Sequence, residues 1–407
     1  MIKKFININI LIFICIFYSS NINAYTQKNQ NHFEISILSI GEGSSLVDAF
    51  GHTAIRLKGE GVYDLLEKVL LKEDLEKKQL KNDVVFNFGV YNFNSPNFYS
   101  NFVKGRPEYT LGIQNYNNLI QHYIRQKRYI VEHQLNLDQN STKIIIDLLL
   151  EKLKDPSYIY NYFRDNCTTR SADIILDKTN NKFKYEVLET EAIHSYRDLI
   201  HGKLNENSWA AVGIDICLGA IIDKKINIRE TFFLPESFMN YLNMFKIDTI
   251  KRNIIFSPES EMHYYENLPS PLLINSILSL IIIVITIHNY KSNKWNKSLD
   301  TLIFLITGSI GFLIIYLWFF SNHFAGAQNF NLLWAFPLNF GLIFCIFKNK
   351  IPGWTISYLK FLIILICLLF LHWITGVQKY NITLLSIFIA LIFRYAFLIS
   401  HIKRTIK

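Results

Sequence analysis

Cys167 lies in the run Asn166-Cys167-Thr168-Thr169-Arg170, at the predicted start of a helix. A thiol there meets the positive end of the helix dipole and backbone N–H groups that lack intrahelical partners. Both favour thiolate over thiol, and the N–H groups can hold an oxyanion. A nucleophile of this kind needs a base within reach. The run Gly51-His52-Thr53-Ala54-Ile55-Arg56-Leu57 alternates as a strand does, with His52, Ala54 and Arg56 on one face. On spacing alone His122, His133, His194, His201 and His263 compete with His52 for that role. No Cys and His pairs show zinc-ligand spacing, so neither a metal nor a cofactor is expected. A Gly-rich phosphate loop and a G-x-S-x-G elbow are likewise missing from the sequence. The structural alternative is a disulfide between Cys167 and Cys217 in an oxidising compartment. Cys217 sits among Ile214, Ile216 and Leu218, which reads as core.

The elements that must position this pair are legible in part. Phe33 to Ile40 alternates as a strand and ends in Gly41-Glu42-Gly43, a turn signal. Asp64 to Lys81 reads as one charged amphipathic surface helix with Leu65, Leu66, Val69 and Leu70 as its stripe. Val84 to Gly89 is a second short strand after His52. Tyr91 to Tyr109, rich in Asn, Phe and Tyr and punctuated by Gly105-Arg106-Pro107, reads as an irregular aromatic loop of the kind that carries function. Helices are predicted over 117–128 and 139–154, with a strand between them at 129–137. A tyrosine-rich approach (Tyr158, Tyr160, Tyr162) then leads to Asp165 or Asn166 as the N-cap of the Cys167 helix.

The two ends of the chain say where the chemistry takes place. Lys3 and Lys4, the apolar stretch from Ile6 to Phe17 and the small Ala24 read as a secretion signal over 1–24; an uncleaved anchor is the alternative. From Pro271 onward five apolar stretches follow, at about 271–288, 299–320, 330–347, 358–376 and 381–400, each suited to a bilayer span. Lys291, Lys294, Lys297, Lys348, Lys350, Lys403 and Arg404 fall in loops on one side, and the loop from Ser321 to Gln328 has no Lys or Arg. Positive-inside logic puts those lysines in the cytoplasm and the N-terminal domain outside. The net charge of +9 then follows from topology and calls for no nucleic-acid partner. The domains expected are 25–267, one exported α+β domain, and 268–407, an all-α bundle of five transmembrane helices.

Phe50-Gly51-His52-Thr53, Asn87-Phe88-Gly89, Asn97-Phe98-Tyr99, Asn166-Cys167-Thr168-Thr169-Arg170 and Phe233-Leu234-Pro235-Glu236 resemble the Lnb family of lipoprotein N-acyltransferases. So do His323, the run Asn329-Phe330-Asn331-Leu332-Leu333-Trp334, and Pro337 in the membrane tail. The resemblance implies a permuted papain-like exported domain, in which a strand histidine precedes a helix-start cysteine. It implies acyl transfer from a membrane phospholipid, through a Cys167 thioester, to the α-amine of a diacylglyceryl-cysteine at a lipoprotein N-terminus. His52 is then the base and Asn87 the residue that orients it, with Asn166 and Asp165 as rivals. Asn166, Arg170 and Arg106 become candidates for substrate binding; so do His323, Asn329 and Asn331, polar groups clustered beside Trp334 at headgroup depth, where they can bind a phospholipid headgroup or the glyceryl-cysteine. The location implied is the cytoplasmic (inner) membrane, multi-pass, with the catalytic domain in the periplasm. The alternatives are a phospholipase or thioesterase using the same pair, a cell-wall peptidase or amidase, and a receptor or assembly factor that needs neither residue.

Overall fold

The structure, a computed structural model, describes residues 32–176, 190–244, 251–260, 263–348 and 350–406. The expected signal segment lies outside the described residues. The described residues of the exported part include nine strands: β1 (Glu34–Ile40), β2 (His52–Lys58), β3 (Asp83–Val90), β4 (Glu108–Asn115), β5 (Ile130–Gln134), β6 (Ser157–Ile159), β7 (Glu191–Ser195), β8 (Lys225–Asn227) and β9 (Lys251–Phe256). Seven of them make one antiparallel sheet in the order β6-β4-β3-β2-β1-β5-β9, and β7 pairs with β8. The helices that follow the chain are α1 (Val62–Glu67), α2 (Lys72–Lys77), α3 (Phe98–Val103), α4 (Tyr116–Arg125), α5 (Gln139–Lys154), α6 (Cys167–Leu176), α7 (Tyr196–His201), α8 (Trp209–Cys217) and α9 (Pro235–Met244).

Alternation along the strands gives the sheet two apolar faces. Ile35, Ile37, Ile55, Leu57, Val84 and Phe86 pack against α5, α6 and α9 through Ile145, Leu149, Ala172, Ile175 and Phe238. Leu38, Ile40, Ala54 and Val85 on the reverse face pack against Leu119, Ile120 and Tyr123 of α4. The segment expected as one helix over 64–81 is two short helices, α1 and α2. Leu66 and Leu75 are fully buried in the main core, so tertiary burial sets its shape and it is no solvated surface helix. The aromatic stretch also holds more order than a loop: α3 lies inside it and β4 begins at its end.

The membrane part bears out the expectation of five transmembrane helices in part. Among the described residues four helices are long and apolar enough to cross a bilayer: α10 (Pro271–Ser292), α11 (Lys297–Ile315, extended by a π-turn to Phe320), α13 (Trp354–Ile374) and α14 (Leu385–Ile406). The stretch 330–347 instead forms a 3₁₀ turn, Phe330–Leu333, and the eight-residue α12, Asn339–Ile346. Pro337 lies between the two. It has no N–H to give and disfavours a helical residue before it. The broken stretch lies along α11. A Cβ on Gly311 would come within 2.2 Å of the Ala335 oxygen, Asn339 donates to Thr307 at 2.8 Å, and the Lys297 ammonium lies 5.9 Å from the centre of the Phe347 ring. Arg394 is buried in the bundle against Asp300, and its other donors go to Asn289, Thr286 and the Asn296 carbonyl.

Candidate active site

α6 starts at Cys167 because Asn166 caps it. The Asn166 Oδ1 accepts the N–H groups of Thr168 and Thr169, both at 2.9 Å, while its Nδ2 donates to the carbonyls of Tyr162 and Phe233, both at 2.8 Å. Asn166 is buried with these bonds made, so its polar atoms hold the helix start and the preceding turn together. The cap takes the second and third N–H groups of the helix. The N–H of Cys167 itself remains as the first-turn donor beside the thiol.

His52 reaches the thiol because two strands part. β2 and β3 pair only from Lys58↔Asp83 to Ile55↔Phe86, and the register of β3 against β4 shifts between Asn87 and Val90. Gly89 makes that bulge with φ +88, and a Cβ there would meet the Tyr160 ring at 3.5 Å and the Cys167 Cβ at 3.9 Å. The backbone thus comes close to the thiol, and the freed N–H of Thr53 points to the sulfur. The Nε2 of His52 is in short hydrogen-bond contact with the Asn87 Oδ1. An amide oxygen only accepts, so Nε2 carries the hydrogen in the neutral ring. Nδ1 is then the nitrogen left to bond Cys167.

Electrostatics of the pair oppose burial and overcome it. Burial by itself would lower His52 and raise Cys167. The attraction between them, their hydrogen bond and the bond from Asn87 outweigh it for the ring, which is raised above its usual value. For the thiol, His52 together with bonds from the Thr53 N–H and Thr168 lowers it to about 7. Thr168 is itself fixed by Thr53, with the hydroxyl oxygens 3.0 Å apart. Three tyrosines frame the sulfur. Burial first, then the charge on Cys167, pushes the hydroxyls of Tyr158, Tyr160 and Tyr162 well up, so all three stay protonated. The Tyr162 hydroxyl is buried and has no hydrogen-bond partner among the described residues.

The other candidates take other partners. Arg170 is paired with Asp165, 2.8 Å from Nη2 to Oδ2, and lies 3.5 Å above the Tyr158 ring. Arg106 is exposed at the end of the aromatic stretch. The His323 Nε2 bonds the carbonyl of Phe102 at 2.8 Å, which ties the outer membrane loop to α3. Asn329 and Asn331 are buried at the junction of the two parts, where they donate at 2.8 Å to the carbonyls of Ile216 and Asp215. Those are carbonyls of the last turn of α8, which need outside donors. These two side chains therefore close a helix end. Of the competing histidines, His201 bonds Asp215, His263 bonds Glu42, His122 meets Gln126, His194 is exposed, and His133 is buried opposite Ile37 in β1. Cys167 and Cys217 are both free thiols. Among the described residues no three His, Cys, Asp or Glu side chains gather as a metal ion would need.

Sequence reasoning gave no role to Thr53, Gly89 or Tyr162. Spacing in the sequence carried a signal for the last: three tyrosines at every second position just ahead of the thiol.

Residues 22–202 match the family described as the Lnb N-terminal periplasmic domain, and residues 264–405 match the Lnb transmembrane domain. No curated protein and no solved structure matches the chain. The two matches follow each other in the order of the exported part and the membrane helices, and together they take in His52, Cys167 and the outer loop around His323. The chain belongs to the Lnb family, an acyltransferase family, and is a membrane protein with a periplasmic domain.

Proposed function

We propose that this protein is a lipoprotein N-acyltransferase that works through a thioester on Cys167. The observation that carries the reading is the line Asn87–His52–Cys167, in which an acceptor fixes one ring nitrogen and leaves the other for the thiol. In the first half-reaction the Nδ1 of His52 takes the thiol proton and the sulfur attacks the ester carbonyl of a membrane phospholipid. The carbonyl electrons move to oxygen. They return as the C–O bond breaks, and His52 gives its proton to the departing alkoxide, so lysophospholipid leaves. In the second half the α-amine of a diacylglyceryl-cysteine attacks the thioester, His52 takes a proton from the amine, and the C–S bond breaks. The proton then returns to sulfur. The N–H of Cys167 and the Tyr162 hydroxyl are the donors suited to the oxyanion of both tetrahedral intermediates, each worth about 3–4 kcal/mol in comparable sites.

The permuted papain-like arrangement is part of this proposal, supported by a histidine at the start of β2 that precedes in sequence the cysteine at the start of α6. So is a fifth crossing by the broken stretch 330–347. Its Asn331 end bonds the periplasmic part and its Phe347 end lies beside Lys297, at the far end of α11. Five crossings put the periplasmic domain and the C-terminus on opposite sides of the inner membrane, in agreement with the lysine distribution. The units proposed are 25–267 and 268–407.

Burial of the thiol, 7 % exposed, favours transfer to an amine over hydrolysis, because water is kept from the thioester. Purified protein given phospholipid and a synthetic diacylglyceryl lipopeptide is expected to form N-acyl peptide and lysophospholipid in equal amounts, both lost in Cys167→Ser. Lysophospholipid and free fatty acid without acylated peptide would establish a phospholipase instead. No thiol-dependent change in either lipid would end the lipid-enzyme reading, and peptidoglycan fragments would be tried next.

A further inference from the structure

We infer that the segment from Tyr91 to Tyr109 dips into the periplasmic leaflet and gives the acyl chain of a bilayer phospholipid its route to Cys167; the route half of this inference rests on the thioester reading above.

α3 and its flanks expose large apolar side chains to the surroundings: Phe93 is 49 % exposed, Tyr99 68 %, Phe102 50 % and Val103 48 %. A water-facing loop has no reason to carry four such groups together, whereas a lipid surface buries them. Their position names the occupant. The Asn322 N–H donates to the Lys104 carbonyl at 2.9 Å, and His323 bonds the Phe102 carbonyl at 2.8 Å. Gly105 makes this contact close: a Cβ there would stand 2.7 Å from the His323 nitrogen. Asn322 lies two residues beyond Phe320, the end of the second long apolar helix, where Phe319 and Phe320 are 63 % and 71 % exposed. The apolar surface of α3 therefore continues the lipid-facing surface of the bundle at headgroup depth. Lys104 and Arg106 are exposed on the same segment, which suits the phosphates of the lipid headgroups.

From this surface a row of rings leads inward. Phe93 meets Phe98 at 5.1 Å and Tyr91 at 4.6 Å between ring centres. Tyr91 meets Tyr109 at 5.1 Å, and Tyr109 stacks on Tyr160 at 4.3 Å. Tyr160 borders the Gly89 bulge, within 4 Å of which the Cys167 Cβ also lies. Contacting rings thus run from the exposed aromatics at the leaflet to the Gly89 bulge beside Cys167. The row is apolar along its length and polar only at ring tips. That is the lining an acyl chain needs if its ester is to reach the thiol while its tail stays out of water.

The test places the photoreactive amino acid benzoylphenylalanine at Phe102 and, separately, at Leu71. Leu71 is more exposed, at 73 %, but lies in the segment joining β2 to β3 at the other end of the strands. The full chain is held in phospholipid nanodiscs without lipopeptide, irradiated and analysed by mass spectrometry, and acylation of Cys167 is read in the same sample. Phospholipid adducts at 102 and none at 71 are expected. Phe102→Asp is expected to slow Cys167 acylation from the bilayer by about tenfold or more, the size that loss of one buried aromatic gives, and Phe102→Leu to restore most of it. Adducts only to protein at 102, or no lipid adduct while Cys167 still acylates, would overturn the inference. Lipid adducts at 102 with no acylation of Cys167 would overturn the thioester route and leave the leaflet contact standing.

Discussion

His52 and His201 each face a group able to carry negative charge, and burial lowers both rings while the partner lifts each above its usual value. The outcomes differ because the partners differ. Asp215 is held ionised by His201 and Arg197 together, and Asn381 of the membrane part bonds its other oxygen at 3.0 Å. Its charge never moves, and it locks α7, α8 and the segment that leads into α14 into one junction. Cys167 has no such permanent cation. In the proposed reaction its counter-charge is the proton it gives to His52, and the thiol, lowered to about 7, is poised to give it up within the working range. A structural anion must be a strong acid with fixed partners; a nucleophile must be weak enough to hold its proton until the base is placed. On the proposed reading the same residue type therefore serves chemistry beside Cys167 and assembly where the periplasmic domain meets the membrane part.

Removing each histidine or its neighbour should separate the two roles. The largest effect is expected for His52→Ala, which removes the base and the counter-charge together. Transfer should fall by about 10²–10⁴. With its pKa back at the ordinary 9.0 or above, the thiol should react with iodoacetamide at pH 7 roughly fiftyfold more slowly, since the thiolate fraction drops from one half to about a hundredth. Equal alkylation of wild type and variant would show that His52 does not set the charge of the thiol. Next comes Arg197→Met at the junction. The guanidinium is fully buried against Asp215 and Asp223, so its removal leaves the buried Asp223 without its cation and Asp215 with His201 alone, at a cost of about 3–5 kcal/mol. The melting midpoint in detergent should fall sharply, and an unchanged midpoint would deny the junction its structural role. Tyr162→Phe follows, with loss of about 10²-fold in transfer and no change in the alkylation rate, because the hydroxyl acts on the oxyanion and not on the sulfur. A parallel loss in alkylation would assign it to the ground state instead.

How much of this was legible in the sequence depends on the range of the contact that decides it. The strand at His52 and the helix at Cys167 follow from alternation and a capping Asn, both local signals, and the core strands and α5 follow likewise. The split of 64–81 into α1 and α2 was not legible, because burial of Leu66 and Leu75 against distant strands decides it. The break at 330–347 had a local sign in Pro337, but hydropathy over a long window averages over a single residue. Asn329 and Asn331 read as headgroup ligands because they are polar and sit near a membrane boundary. Their actual partners are the carbonyls ending α8, more than a hundred residues earlier. Asn166 was ambiguous for a similar reason: an Asn beside a nucleophile can orient a base or cap a helix, and only its four hydrogen bonds tell the two apart.

The smallest expected effect sharpens the comparison most, because it sets the two histidines against each other in one titration. His201 is raised, so its contribution to the junction is complete below the ordinary 6.5 and is lost as pH climbs through the raised value. Asp215 is lowered, so its part is complete above 3.8 and lost only as pH falls through its depressed value. Between pH 6 and pH 8 the junction should therefore weaken through His201 alone, and the gap in melting midpoint between wild type and His201→Asn should shrink as pH rises. Over the same interval the alkylation rate of Cys167 should climb through a midpoint near 7, identically in wild type and His201→Asn, since the histidine at the junction does not touch the thiol. A gap that widens with pH would mean that His201 is bound neutral. An alkylation midpoint that moves in His201→Asn would mean that the junction and the active site share one electrostatic network, and the division of labour between the two histidines would have to be given up.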